Sequence, residues 1–233
     1  MAGRGKRFVD AGYDKPKPFI DVKGEPMIAR VINNLDIWWK NKYIFVCLKD
    51  FIDKYGNEFK SYIGNINHEI IMVDQVTEGA ACSCLLAKNL INNNEELVIT
   101  DCDHLTHDIN WLLGGVDFFN AKNADGGIWN LWNDNPKWSY VRISNGVITE
   151  VAEKSIISNI ANTGTYWFKH GKDFVDAAER MIQRNDRTKG EFYVAPVYNY
   201  MIADGKKILP YFTNQFVGLG TPEDLEKYLK DNK

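Results

Sequence analysis

A chain of 233 residues is long enough for one large domain or two small ones, and 45% hydrophobic with 25% charged residues is an ordinary globular balance. A net charge of −3 excludes a general nucleic-acid binder, which needs a basic surface, and suits a protein with local basic loops for a small anionic ligand. No apolar run reaches the roughly 18 residues of a membrane span, and the polar, glycine-rich opening is not that of a signal peptide.

Met27 to Trp39 has the apolar spacing of an amphipathic helix, following a Gly24-Glu25-Pro26 turn. Lys42 to Leu48 (KYIFVCL) is a short apolar run of the kind a buried parallel strand shows. Phe51 to Ile63 reads as helix, Glu69 to Val73 as the next strand and Gly79 to Ile91 as a helix rich in Ala and Leu. Leu97 to Thr100 (LVIT) is a third strand, ending at Asp101-Cys102-Asp103. This alternation predicts an α/β fold: a doubly wound, mostly parallel mixed sheet flanked by helices, Rossmann-like in layout.

The second half is more mixed. Gly127 to Leu131, Ser139 to Ile143 and Val147 to Val151 read as strands, with Asn145-Gly146 as the hairpin turn between the last two. Asn162 to Phe168 is another strand, Asp173 to Arg184 a helix, and Phe192 to Ala203 a further helix. Ile208 to Tyr211 and Phe216 to Gly218 are short strands. Pro222 to Lys230 closes the chain as a helix capped by Thr221. No linker or repeat is visible, which predicts a single domain (1–233) with a nucleotide-binding first half (1–125) and a more mixed second half (126–233). Cys47, Cys82, Cys84 and Cys102 lack the spacing of a zinc site and read as reduced thiols of a cytoplasmic protein.

Several constellations carry chemistry. Met1-Ala2-Gly3-Arg4-Gly5-Lys6-Arg7-Phe8 interleaves glycines with cations, which is how a backbone cradles phosphate; a solvated basic tail is the bland alternative. Lys17 sits between Pro16 and Pro18, so its backbone is stiff. Asp101 and Asp103 leave a strand at the edge where open α/β sheets bind ligands, and alternation along an extended segment turns both carboxylates to one side. One or two carboxylates plus phosphate oxygens suffice for Mg²⁺. His104 and His107 lie close by and read better as satisfied loop histidines than as ligands. Glu78-Gly79-Ala80-Ala81 is small enough for a flat base to approach, or simply for close packing. Lys154 could hold a second substrate's phosphate, with Glu191 and Tyr193 as partners for hydroxyls, although taken singly each reads better as an exposed ion pair or hairpin residue. Trp129, Trp132 and Trp138 shape either an acceptor pocket or the core.

The order of these elements resembles the sugar-1-phosphate nucleotidylyltransferases. The resemblance runs through Gly3-Arg4-Gly5-Lys6-Arg7, Pro16-Lys17-Pro18-Phe19, Pro26-Met27-Ile28 and Gly79-Ala80-Ala81. It continues through Asp101-Cys102-Asp103, Glu153-Lys154, Asn162-Thr163-Gly164-Thr165-Tyr166 and Gly220-Thr221-Pro222. It implies a nucleotide-diphospho-sugar transferase-like fold and transfer of a nucleotidyl group from an NTP to a phosphorylated small-molecule acceptor, with release of pyrophosphate. By the same resemblance, Arg7 and Lys17 are catalytic, while Ala2, Gly3, Arg4, Gly5, Lys6, Gln75, Gly79 and Ala80 bind the nucleotide. Asp101 and Asp103 hold Mg²⁺ or Mn²⁺, and Lys154, Gly164 and Glu191 bind the acceptor. It implies no nucleic-acid or membrane partner and is compatible with a homo-oligomer.

The chain departs from that pattern in three places. Ala80 replaces a base-contact threonine, Phe216 to Gly220 lacks the late metal aspartate, and the strand that usually precedes the glycine loop is not in this numbering. If the chain is complete as given, the last departure predicts an empty sheet position beside Leu97–Thr100. A metal-dependent glycosyltransferase and a non-catalytic nucleotide-binding homologue are the alternative readings. The opening loop and Lys17 count against the former, and the missing late aspartate motivates the latter.

Overall fold

The computed structural model describes residues 1–35, 42–108 and 110–231. The chain forms two compact units, the first from Met1–Val76, Cys102–Leu112 and Gln215–Lys233, the second from Thr77–Asp101 and Leu113–Asn214.

In the first unit, Tyr43–Leu48 and His68–Val73 pair in parallel, Tyr43 opposite His68, and are joined by the helix Lys49–Ile63. Phe45, Cys47, Phe59 and Ile63 from this βαβ element bury against Phe19, Ile28 and Ile32. Met27–Asn34 is helical as predicted; the expected end at Trp39 lies outside the described residues. Met27 and Val31 on this helix join Phe8, Ile20, Val22, Leu105, Leu219 and Leu225 in a second apolar cluster. That cluster anchors the opening segment, the Asp103 loop and the closing helix Pro222–Asp231 to one another.

The second unit is built on a mixed six-stranded sheet in the order Ile208–Phe212, Gly126–Trp132, Ile160–Phe168, Tyr140–Ser144, Val147–Ala152, with Leu97–Thr100 also on Ile160–Phe168. Ile160–Phe168 runs antiparallel to Leu97–Thr100, Gly126–Trp132 and Tyr140–Ser144, and Ile208–Phe212 is parallel to Gly126–Trp132. Leu97–Thr100, Gly126–Trp132, Tyr140–Ser144 and Ile208–Phe212 therefore share one direction, with Ile160–Phe168 and Val147–Ala152 running against them, a mixed sheet in an α/β fold. Among the described residues, no strand pairs with the second edge of Leu97–Thr100. Asn145 (φ 51°) and Gly146 (φ 78°) make the predicted tight turn, with Ser144 opposite Val147.

Some elements differ from their expected form. Gly79–Ile91 is split into Ala80–Leu85 and Lys88–Ile91, because Ala87 leaves the helical path (ψ 9°). The helix expected from Phe192 starts only at Val197, since the Phe192 N–H and carbonyl are both bonded to the segment 78–81. Trp111–Ala121 is an unpredicted helix: Gly114 lies under the Tyr211 hydroxyl and Gly115 under the Trp129 indole, where a β-carbon would collide. Trp129 is core; Trp132 is exposed and stacks on Phe212 with ring centroids 5.4 Å apart. Among the described residues no helix is long and apolar enough to cross a membrane.

Candidate functional site

The opening segment is folded. Gly5 adopts a left-handed conformation (φ 61°) as the N-cap of a five-residue helix, Lys6–Asp10. A β-carbon on Gly5 would come within 3.0 Å of the Lys17 β-carbon, so this glycine lets the loop lie directly on Lys17. Phe8, 1% exposed, pins the helix into the core, leaving Lys6 and Arg7 exposed on the same short segment. Arg4 pairs with Asp50 at 2.6 Å, Ala2 is buried and Gly3 has open space around it. Gln75 is exposed, just past the end of His68–Val73.

Pro16 and Pro18 set up a short 3₁₀ turn over Lys17–Phe19, closed by the Phe19 N–H donating to the Pro16 carbonyl at 2.8 Å. The turn aims the Lys17 ammonium at the Asp103 carboxylate, with which it forms an ion pair. Burial alone would raise the Asp103 carboxyl, but the Lys17 charge and hydrogen bond outweigh it and hold it below its ordinary value. The Leu219 N–H donates to the Asp103 carbonyl at 2.7 Å, and a β-carbon on Gly220 would sit 3.2 Å from the Asp103 carboxylate. The glycine loop, the Pro-Lys-Pro turn, Asp103 and the late Gly220-Thr221-Pro222 are thus gathered in one place. Thr221 caps the last helix as expected, its hydroxyl accepting from the Asp224 N–H at 3.2 Å.

His104 is a buried strand residue rather than a loop residue, packed edge-on to Trp111 (6.0 Å) and against Phe216 (5.1 Å). Burial lowers its imidazole from 6.5 to about 4, against the pull of Asp103. The unfolded chain takes up a proton here below about pH 6.5, whereas the folded protein resists it. Stability contributed by this group is therefore present above about 6.5 and is lost as pH falls toward 4, by up to about 3 kcal/mol. Urea unfolding at about pH 7.5 and about pH 4.5 should show this loss, and His104→Phe should flatten it. An equally steep fall in the variant would assign the effect to carboxylates instead.

In the second unit, Asp101 follows the Leu97–Thr100 strand and donates its N–H to the Gly164 carbonyl at 3.0 Å. The strand stops at Thr100, so the alternation expected to turn Asp101 and Asp103 to one side does not apply; the residues after it form a bend. Gly164 (φ 80°) sits in a bulge of Ile160–Phe168, and the Asp101 carboxylate occupies the space a β-carbon there would need. Asn162 fixes the bulge by accepting from the Gly164 N–H at 3.1 Å and the Tyr166 hydroxyl at 3.2 Å. Burial, helped by Asp101 and Glu153, pushes the Tyr166 phenol well above its ordinary range.

Lys154 leaves its strand in a left-handed conformation (φ 51°), and its ammonium meets the Tyr193 hydroxyl and lies 4.1 Å from that ring's centroid. Burial raises the neighbouring Glu153 carboxyl, and the Ser139 hydroxyl donates to it. Glu191 is exposed at the end of a tight turn, paired both ways with Thr188 at 3.0 Å. Gly79 and Ala80 open the helix Ala80–Leu85, beside the Phe192 backbone. Sequence reasoning missed Ser139 and Arg187; neither lies in a motif, and both are identified only by their partners. Among the described residues no group of three or more His, Cys, Asp or Glu forms a metal cluster.

Two solved structures share this fold, and one further protein is similar in sequence. The nucleoside-diphosphate-sugar pyrophosphorylase of Vibrio cholerae RC9 superposes with a TM-score of 0.84 at 21% identity, covering 99% of this chain and 98% of that one. The inositol-1-phosphate CTP transferase of T. maritima gives 0.74 at 16% identity, covering 99% and 94%. At such identities these likenesses show the fold, a nucleotide-diphospho-sugar transferase type of mixed α/β sheet. The bifunctional protein GlmU of Methanococcus aeolicus is 27% identical over 173 residues, and the chain spans 39% of that relative's length while 72% of this chain is matched. The pattern that defines the nucleotidyl transferases matches residues 1–232, and the chain belongs to that family.

Proposed function

We propose that this protein transfers a nucleotidyl group from an NTP to a phosphorylated small-molecule acceptor, a sugar 1-phosphate or similar compound, and releases pyrophosphate. The observation that carries the reading is the Lys17–Asp103 pair, set between Gly5 of the opening loop and Gly220. The whole chain acts on this reading as one nucleotidyltransferase domain. Its place is in nucleotide-sugar or surface-polysaccharide biosynthesis, and its free cysteines suit the cytoplasm.

A phosphate monoester is mostly dianionic at neutral pH, its second pKa being about 6, so the acceptor needs no general base. One of its oxygens attacks the α-phosphorus in line. A P–O bond forms there as the bond to the bridging oxygen breaks, and the electron pair leaves with pyrophosphate. The opening-loop backbone with Arg4, Lys6 and Arg7 holds the triphosphate, while Lys17 neutralises charge as it develops on the phosphates. Lys154, Gly164 and Glu191 receive the acceptor. The carboxylates of Asp101 and Asp103 are hard oxygen donors of the kind that hold Mg²⁺ together with phosphate oxygens. When bound, the ion supplies positive charge against the leaving group.

Purified protein given each common NTP, Mg²⁺ and a panel of phosphorylated acceptors should release pyrophosphate with one NTP–acceptor pair. Binding of NTP without pyrophosphate from any pair would favour the non-catalytic homologue.

A further inference from the structure

We infer that Arg187 is a positioning residue that ties the segment Glu78–Ala81 to the hairpin 185–193, so that contacts to the nucleotide base and to the acceptor move as one element. The substrate roles of the two segments rest on the nucleotidyl-transfer reading; the mechanical tie does not.

The backbones of the two segments are already joined. The Phe192 N–H donates to the Glu78 carbonyl at 2.9 Å, and the Ala81 N–H donates to the Phe192 carbonyl at 3.0 Å. Gly79 lies between these bonds with φ 144° and ψ 173°, a conformation essentially confined to glycine. A β-carbon there would collide with the Phe192 backbone.

Arg187 then bridges both segments with one side chain. Its Nη2 donates to the Glu78 carboxylate. Its Nη1 donates to the Gly190 carbonyl at 3.0 Å, and its Nε to the Asn185 side-chain oxygen at 2.6 Å. The guanidinium also sits 4.0 Å from the centroid of the Phe192 ring, which is 1% exposed. The hairpin turns through Lys189 (φ 48°) and Gly190 (φ 86°), leaving Glu191 at its exit.

The far ends of both segments are also fixed. Thr77 donates its hydroxyl to the Gly79 carbonyl at 2.9 Å and meets the Ser83 hydroxyl at 2.6 Å. Tyr193 meets the Lys154 ammonium. Anything that orders Gly79 and Ala80 therefore acts on Glu191 and Tyr193 through Phe192 and Arg187. Lysine could keep the attraction to Glu78 but not the fork that also reaches Gly190 and Asn185.

Hydrogen exchange read by mass spectrometry tests this in the full chain. Without ligand, Arg187→Ala should speed exchange about tenfold in peptides covering both 77–86 and 185–193, and Arg187→Lys should restore part of the protection. Faster exchange in 185–193 with 77–86 unchanged would overturn the tie. With Mg²⁺ and each of ATP, CTP, GTP, UTP and dTTP in turn, a nucleotide that protects 77–86 should also protect 185–193 in the parent protein. In Arg187→Ala it should protect 77–86 alone. Protection confined to 77–86 in the parent protein would overturn the coupling. If no nucleotide protects 77–86, the nucleotidyl-transfer reading fails, while the ligand-free comparison still decides the tie.

Discussion

Lys17→Ala is expected to lower pyrophosphate release by about 100- to 1000-fold, the usual cost of removing one preorganised contact to developing charge. Lys17 is suited to that task because it is held on both sides. Pro16 and Pro18 stiffen its backbone, and Gly5 lets the opening loop rest against its side chain. The same substitution strands Asp103. The Asp103 side chain is 25% exposed, so losing Lys17 leaves a poorly solvated carboxylate, costing on the order of 1–3 kcal/mol.

Asp103→Ala should lower activity by a similar factor, about 100- to 1000-fold. The double variant Lys17→Ala/Asp103→Ala should regain stability relative to Lys17→Ala without regaining turnover. Urea unfolding and a pyrophosphate assay on the same preparations separate the effects. Near-normal turnover by Lys17→Ala would remove this residue from the mechanism.

Gly79→Ala should be among the most destabilising single changes in the second unit. Alanine at φ 144° carries strain of about 1–3 kcal/mol, and its β-carbon would drive the Phe192 backbone away, breaking the bonds to Glu78 and Ala81. A total of about 3–5 kcal/mol is a large share of a domain's stability and would lower the melting temperature by about 6–20 °C for a chain of this size. Gly3→Ala is the control, since Gly3 has nothing within 4 Å of a β-carbon and should melt like the parent. Equal melting temperatures for Gly79→Ala and Gly3→Ala would show that the 78–81 segment yields where the packing says it cannot.

What the sequence by itself determined is local. The apolar run LVIT is a strand at Leu97–Thr100, Asn145-Gly146 turns a hairpin, and Thr221 caps the last helix. Each of these is decided by side-chain periodicity, left-handed tolerance or a hydroxyl within a few residues. Trp111–Ala121 was not legible, because its paired glycines argue against a helix until Trp129 and Tyr211 are seen to need that space.

The candidate site divides in the same way. The cations, carboxylates and glycines were legible as types in an order. That Lys17 reaches Asp103, 86 residues away, and that Arg187 reaches Glu78, 109 residues away, was decided by tertiary structure alone. Such pairings depend on where buried residues such as Phe8, Leu219 and Phe192 anchor the backbone, and no local propensity encodes that position.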